Sequence, residues 1–259
     1  LDMRAWIYIL VVAVVVVSVM AIYLAYSYFL SLSPKPKILR IGTSPDFPPF
    51  EYIDEKTNEV VGIDIDLIKA VANRLGYSVE IVSMDFDGLI PALEQGHVDI
   101  VISGMTITEE REKRVDFSIP YWEADQAIIV FRGSSYRPQS LEDLDNYVVG
   151  VQSGTTAAEL LDNLVKQGYR IEIKRYTSYT LAVQDLINGR VDVVVVDSPV
   201  ARALEKRYSV EISCVIPTNE RYGIAVREGN RELLDQINKV LNDILNSNEW
   251  DQIIAKYLG

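Results

Sequence analysis

"GRVDVVVVDSPV", residues 189–200, ends a fully apolar run of β-branched residues on a carboxylate, Asp197. A short apolar run bounded by turn residues reads as a strand covered on both faces, the kind parallel sheets hold. A closely similar sentence, "GHVDIVISGMTI" at 96–107, stands roughly ninety positions upstream. Self-similarity at that distance points to two structurally alike halves, not to a solenoid of short repeats. The earlier copy ends on Ser103 and Gly104 where the later one ends on Asp197.

Strand and helix patterns alternate around both copies. Before the first, "ILRIGT" (38–43) and "SVEIVSM" (78–84) read as strands. "IDIDLIKAVANRLG" (63–76) carries apolar residues at helical spacing up to a Gly76 stop. "DGLIPALEQG" (87–96) reads as a short helix with Asp87 as its N-cap. Before the second copy come a strand "YVVGVQSG" (147–154), a helix "TTAAELLDNLVKQG" (155–168), a strand "IEIKRY" (171–176) and a helix "SYTLAVQDLING" (178–189). The alternation implies α/β lobes with mostly parallel sheets, and ligands of such sheets sit outside the carboxyl ends of the strands. Ser103, Gly104 and Asp197 fall at such ends. The chain closes on a helical pattern, 230–259, with a break expected near Ser247.

The first segment is a different material. "AWIYILVVAVVVVSVMAIYLAYSYFL" (5–30) carries no ionisable residue except tyrosines and is long enough to cross a hydrocarbon core as a helix. Trp6, Tyr8, Tyr26 and Tyr28 lie near its ends, where amphipathic rings favour the interface. The run is longer than the apolar core of a signal peptide, and "AYS" at 25–27 is a weak cleavage signal, so an uncleaved anchor is expected. Pro34 and Pro36 then mark a short stiff linker.

Composition bounds the function. A formal net charge of −12 opposes binding to nucleic acid or to an anionic membrane surface. The one cysteine, Cys214, allows neither an intrachain disulfide nor a cysteine zinc cluster, and reads as a small buried hydrophobe. Phosphate loop, GxGxxG, HExxH and GxSxG are all absent. The single histidine, His97, follows the helix-ending Gly96 and reads as a solvated turn residue. No cofactor and no metal is expected.

What remains suits a zwitterion. Thr108 is a plausible N-cap that sets Arg111 in the first helical turn after "VDIVISG", where a guanidinium can grip a carboxylate through two hydrogen bonds. The alternative is an arginine paired with Glu109, Glu110 or Asp116 on a solvated face. Thr156 and Glu159 have capping-box spacing, and the helix start after Gly154 offers free N–H groups to an anion. Asp197 would suit a ligand ammonium, helped by Gly104 and Thr106; alternatively it caps the helix beginning near Pro199.

Taken together, "GTSPDFPPFEY", "VGIDIDLIKAVANRLG", "MDFDGLIPALEQGHVDIVISGMTITEERE", "VDFSIPYW", "GVQSGTTAAE" and "GRVDVVVVDSP" resemble the polar amino-acid binding proteins of ABC importers, solute-binding family 3. The resemblance covers essentially all of 38–259. It implies the two-lobed periplasmic-binding-protein type II fold: an anchor or signal with linker at 1–36, lobe 1 from 37–124 and 222–259, and lobe 2 from 125–221. It implies Phe47 and Phe86 as aromatic walls, Gly104 and Thr106 as ammonium partners, Arg111 as the carboxylate clamp with Thr155 and Thr156, and Asp197 as the ammonium counter-charge. Ser44 stands where several relatives carry an aspartate, and Gln152 where a glutamine binder would have lysine. Asp46, Glu51, Asp85, Glu123 and Asp125 are the nearby acids; each is expected as a solvated turn residue before a specificity group, although Asp46 and Glu51 would read a basic side chain.

The implied partners are a basic or polar L-amino acid such as Arg, Lys, His or Gln, an ABC permease with its ATPase, and the membrane through the N-terminal helix. Hinges at 121–125 and 221–224 would let the lobes close on the ligand. The rival readings are an amino-acid sensor domain, a cyclohexadienyl dehydratase-like enzyme on the same fold, and a receptor channel, for which no pore helices are visible within the lobes.

Overall fold

The computed structural model describes residues 2–32 and 37–258 and divides into two units, 1–37 and 38–259. Residues 33–36, where the linker was expected, lie outside the described residues.

The first unit is one helix, α1 (Met3–Leu32). Its 19-residue stretch Leu10–Tyr28 has a mean hydropathy of 2.5 and is 0% buried. At about 1.5 Å of rise per residue that stretch is close to the ~30 Å of a hydrocarbon core. Apolar residues surround the axis instead of forming one stripe, which suits lipid on all sides. The hydroxyls of Ser18 and Ser27 donate back to the carbonyls of Val14 (2.8 Å) and Leu24 (2.9 Å), so neither needs water.

The second unit opens with β1 (Lys37–Thr43), β2 (Asp46–Phe47), β3 (Glu51–Ile53) and β4 (Val60–Val61). Next come α2 (Ile63–Arg74), β5 (Tyr77–Ser83), α3 (Leu89–Glu94), β6 (Ile100–Val101), α4 (Glu109–Glu112) and β7 (Val115–Phe117). The chain then crosses on β8 (Trp122–Phe131) into β9 (Val148–Gln152), α5 (Thr156–Lys166), β10 (Glu172–Tyr176), α6 (Tyr179–Ile187), β11 (Val193–Asp197) and α7 (Ser198–Arg207). It returns on β12 (Val210–Tyr222) and ends with β13 (Ala225–Arg227), α8 (Arg231–Leu245) and α9 (Asn248–Leu258). The helical pattern breaks at Asn246 and Ser247, as its sequence indicates.

Two five-stranded sheets form two lobes, ordered β5-β1-β6-β13-β7 and β10-β9-β11-β8-β12. The two copies of the repeated sentence, β6 and β11, are each the middle strand. Each has a parallel neighbour on one side, β1 or β9, and an antiparallel one on the other, β13 or β8. The parallel pairing anticipated from the alternation is therefore joined by antiparallel strands, and one of them, β8, carries the chain from lobe 1 into lobe 2. The valines of β11 are 0% exposed, because α5 packs on one face of the sheet while α6 and α7 cover the other.

The crossing strands β8 and β12 are paired from Trp122↔Tyr222 through Glu220↔Ala124. A register shift follows between Ile216 and Glu220, with Asn219 at φ 52. The expected cap on Asp87 is not made: residues 86–88 form a 3₁₀ turn and α3 starts after Gly88 without a side-chain cap. Pro91 falls in the first turn of α3, where a missing N–H costs no intrahelical hydrogen bond. His97 is exposed, and Cys214 is only half-buried beside the lobe 2 core.

Candidate functional site

The end of β6 delivers backbone. Gly104 has φ 49, and a Cβ there would lie 2.5 Å from the Phe47 ring. Only glycine lets the chain turn against that ring. Its N–H donates to Asp64 (2.8 Å), and Ser103 Oγ donates to Glu51 (2.8 Å) while accepting from the Ser44 N–H (2.9 Å). Past this turn Thr108 caps α4 by accepting from the Arg111 N–H (3.2 Å), which fixes Arg111 in the first turn as its spacing predicts.

Arg111 is 6% exposed. Its guanidinium donates to the carbonyls of Thr106 (2.8 Å) and, across the cleft, Gly154 (3.0 Å), and lies 5.4 Å from the Phe86 ring centroid. Of the acids named as alternative partners, Glu110 pairs with Lys113 (2.7 Å), Asp116 pairs with Arg231 (3.1 Å) and Glu109 is exposed. Among the described residues Arg111 makes no ion pair, and burial pulls its pKa below the ordinary value. A buried cation held only by carbonyls is an incomplete arrangement, and a carboxylate would complete it.

The end of β11 delivers charge. Asp197 stands at the N-cap position of α7 but makes no capping bond. It accepts instead from Gln126 Nε2 (3.0 Å) and from the Tyr222 hydroxyl. Burial first, and Glu220 second, push its pKa up to about 7, against Tyr222, Gln126 and Arg111. No described cation pairs with it.

The start of α5 differs from the expected capping box. The cap is Thr155, whose hydroxyl accepts from the Ala158 N–H (3.2 Å) and donates to the Gln152 carbonyl (2.9 Å). Thr156, one residue inside the helix, sends its hydroxyl to Glu220 (2.8 Å). Two adjacent threonines satisfy the same local preference, and tertiary contact with Glu220 decides between them.

These elements line one cavity. Its lining is Ser44, Asp46, Phe47, Glu51, Phe86, Gly104, Thr106, Arg111, Gln152, Thr155, Thr156 and Asp197. All the residues singled out from the resemblance are thus brought together. Asp85 and Glu123 are exposed and do not line it. Asp125 accepts from the backbone of Thr218 (2.8 Å) and Asn219 (3.0 Å).

The expectation that Asp46 and Glu51 are solvated is overturned. Asp46 accepts from the Tyr179 N–H (2.6 Å), Gln152 Nε2 (3.2 Å) and Ser44 Oγ (3.2 Å), and burial pushes its pKa up to about 6. Glu51 is 0% exposed and well above the carboxylate range through burial and Asp64. Asp64, itself 0% exposed, is raised to about 6 by burial although Gly104 N–H and the Tyr121 hydroxyl (2.8 Å) both donate to it. Glu51 Oε2 and Asp64 Oδ1 receive no donor from other described residues, so a proton held between the two carboxyls satisfies both.

Sequence reading missed Asp64, Gln126, Tyr179, Glu220 and Tyr222. Asp64 was absorbed into an amphipathic helix pattern, and Gln126 and Glu220 sit on strands without any motif. The signal available for Glu220 was its neighbour Asn219 in "TNERYG", a turn-forming residue inside a strand. Among the described residues no group of three or more His, Cys, Asp or Glu is arranged to hold a metal ion.

Residues 39–259 match the bacterial extracellular solute-binding proteins, family 3, and the chain belongs to that family. A probable histidine-binding protein of Neisseria gonorrhoeae is 36% identical over 228 residues, 86% of this chain and 84% of its own. The solved structure of an ancestral arginine-binding protein bound to arginine superposes with a TM-score of 0.80 at 47% identity, covering 86% of this chain and 98% of that one. An ancestral amino acid-binding protein, a precursor of cyclohexadienyl dehydratase, superposes with a TM-score of 0.79 at 40% identity, covering 86% and 96%.

Proposed function

We propose that the protein captures a basic L-amino acid, arginine foremost, between its lobes and presents it to an ABC permease on the extracytoplasmic side of a membrane that α1 anchors. The observation that carries this reading is a pair of opposite buried charges without ion-pair partners among the described residues, Arg111 from lobe 1 and Asp197 from lobe 2, in one cavity. An α-carboxylate on Arg111 and an α-ammonium on Asp197 complete both, and neither lobe supplies both groups alone. Ligand binding therefore favours the closed state through differential affinity.

The α-carboxylate also faces the first turn of α5, whose N–H groups lack intrahelical partners. The side chain runs between Phe47 and Phe86 toward Asp46 and Glu51. Asp46, with Gln152 as a neutral hydrogen-bonding group, favours a cationic end over a neutral one, while Glu51 shares its proton with Asp64 behind it. The relatives support a basic ligand, since the Neisseria protein is named for histidine and the ancestral one binds arginine.

Calorimetric titration of the whole chain in detergent with L-arginine, L-lysine, L-histidine and L-glutamine tests the reading. The expected order puts arginine tightest, and absence of heat with all four overturns it. One observation favours a second reading: a carboxyl raised to about 7 in the cavity, on a fold shared with a dehydratase precursor, has the poise of a general acid. Turnover of prephenate or arogenate would establish that enzyme, and the proposed function expects none.

A further inference from the structure

Glu220 belongs to no motif and does not line the cavity, yet its carboxylate organises what does. It sits on β12 beside the Asn219 kink, 9% exposed, where the chain passes between the lobes. Its Oε2 accepts from the hydroxyls of Thr106 (2.7 Å) on lobe 1 and Thr156 (2.8 Å) on lobe 2, and its Oε1 accepts from Gln126 Nε2 (2.9 Å).

A hydroxyl has one proton and two lone pairs, and a carboxylate only accepts. We infer that Glu220 takes the single proton of both threonines and so turns them into pure acceptors toward the cavity, making it a specificity-determining residue for the ligand's amino group. This rests on the reading of the cavity as an amino-acid site.

The amide of Gln126 is held by the same logic. Its Nε2 lies among three acceptors, Glu220 Oε1, Asp197 Oδ1 and, at 3.5 Å, Thr156 Oγ1, which forces that orientation and leaves its Oε1 without a partner among the described residues. Around Asp197 the cavity then presents only acceptors: the carboxylate itself and the lone pairs of Thr106 and Thr156. An ammonium finds three partners there, whereas a carboxylate finds none and must go to Arg111 and the α5 N–H groups. The ligand is thus read by polarity as well as by charge, and an analogue without the α-amino group leaves buried acceptors unmet, which costs far more than a lost contact in water. The hydroxyls Glu220 holds come from opposite lobes, so the pattern is complete only when the lobes are closed.

Glu220→Gln keeps the shape but can donate, which frees the threonine protons to turn inward. Titration of the whole chain compares L-arginine with 5-guanidinopentanoic acid, the same molecule without its α-amino group, and with agmatine, which lacks the carboxylate. The native protein's preference for L-arginine over the deamino acid is expected to fall at least tenfold in Glu220→Gln, with the preference over agmatine retained. Equal weakening toward all three ligands is what a merely structural residue gives, and it overturns the inference.

Neutron diffraction from deuterated crystals of the unliganded whole chain in its closed form reads the same claim without a ligand. Deuterons on Thr106 and Thr156 directed at Glu220 are expected, and deuterons directed into the cavity overturn it. Should the native chain bind no arginine while the deuterons point at Glu220, the proposed ligand fails and the hydroxyl polarity stands.

Discussion

β6 and β11 are written in nearly the same words, hold the same place in their sheets, and end differently. β6 ends in a glycine pressed against Phe47, whose N–H is spent on the buried Asp64 of its own lobe. β11 ends in a carboxylate whose amide partner, Gln126, is shared with Glu220 and so with hydroxyls of both lobes. The lobe 1 acids Glu51 and Asp64 satisfy each other by sharing a proton. Asp197 and Arg111 have no such local solution. One strand end is a finished piece of structure and the other waits for a ligand. A duplicated frame therefore does not duplicate function: the backbone geometry is common, and the last side chain decides whether the position is a wall or a charge.

The largest blow to this contrast is Arg111→Ala. If the guanidinium holds the ligand carboxylate in a desolvated site, calorimetry gives a loss of about 2–5 kcal/mol, a Kd raised by roughly thirtyfold to several thousandfold. Unchanged affinity would remove Arg111 from the site.

Asp197→Asn comes next, with opposite effects on binding and stability. Affinity for the amino acid falls by roughly 1.5–3 kcal/mol, as for a hydrogen bond to a charged group. The unliganded protein, relieved of a buried acid beside Glu220, melts higher. Its pH profile sharpens the point. Asp197 is raised to about 7 from an ordinary value of 3.8, so its stabilising share is full below pH about 4 and lost as pH rises through about 7. The native protein's unliganded Tm should decline across that window, and Asn at 197 should flatten the decline. What remains comes from Asp46 and Asp64, both raised to about 6, and from Glu51, raised with the same sign. Because an ammonium favours ionised Asp197, binding releases a proton there, and buffers of different ionisation enthalpy measure it.

Gly104→Ala probes the finished end. A Cβ at 2.5 Å from the Phe47 ring with φ 49 should cost about 1–3 kcal/mol in denaturant unfolding and displace the aromatic wall. A neutral result would mean the two strand ends are interchangeable. Smallest is Thr155→Ala, which removes the α5 cap and should cost about 1 kcal/mol, whereas Thr156→Ala should spare the helix and weaken binding.

By itself the sequence determined whatever rests on periodicity and on neighbours close in the chain. The apolar run of α1, the alternation of strands and helices, the two copies at β6 and β11, the Thr108 cap that places Arg111, and the motifs that gather the cavity residues were all legible. Such features depend on local propensity and on burying one face, and a one-dimensional string records both. Tertiary structure alone decided that Glu51 and Asp64 are buried together, that Thr155 and not Thr156 is the cap, and that Glu220 spans the cleft. Thr156 and Glu220 are 64 positions apart, and the bond between them exists only because two lobes close around a pair of crossing strands. Which polar group is desolvated, and who shares its proton, follows from that closure, since a hydrogen bond's strength is set by the surroundings it is folded into.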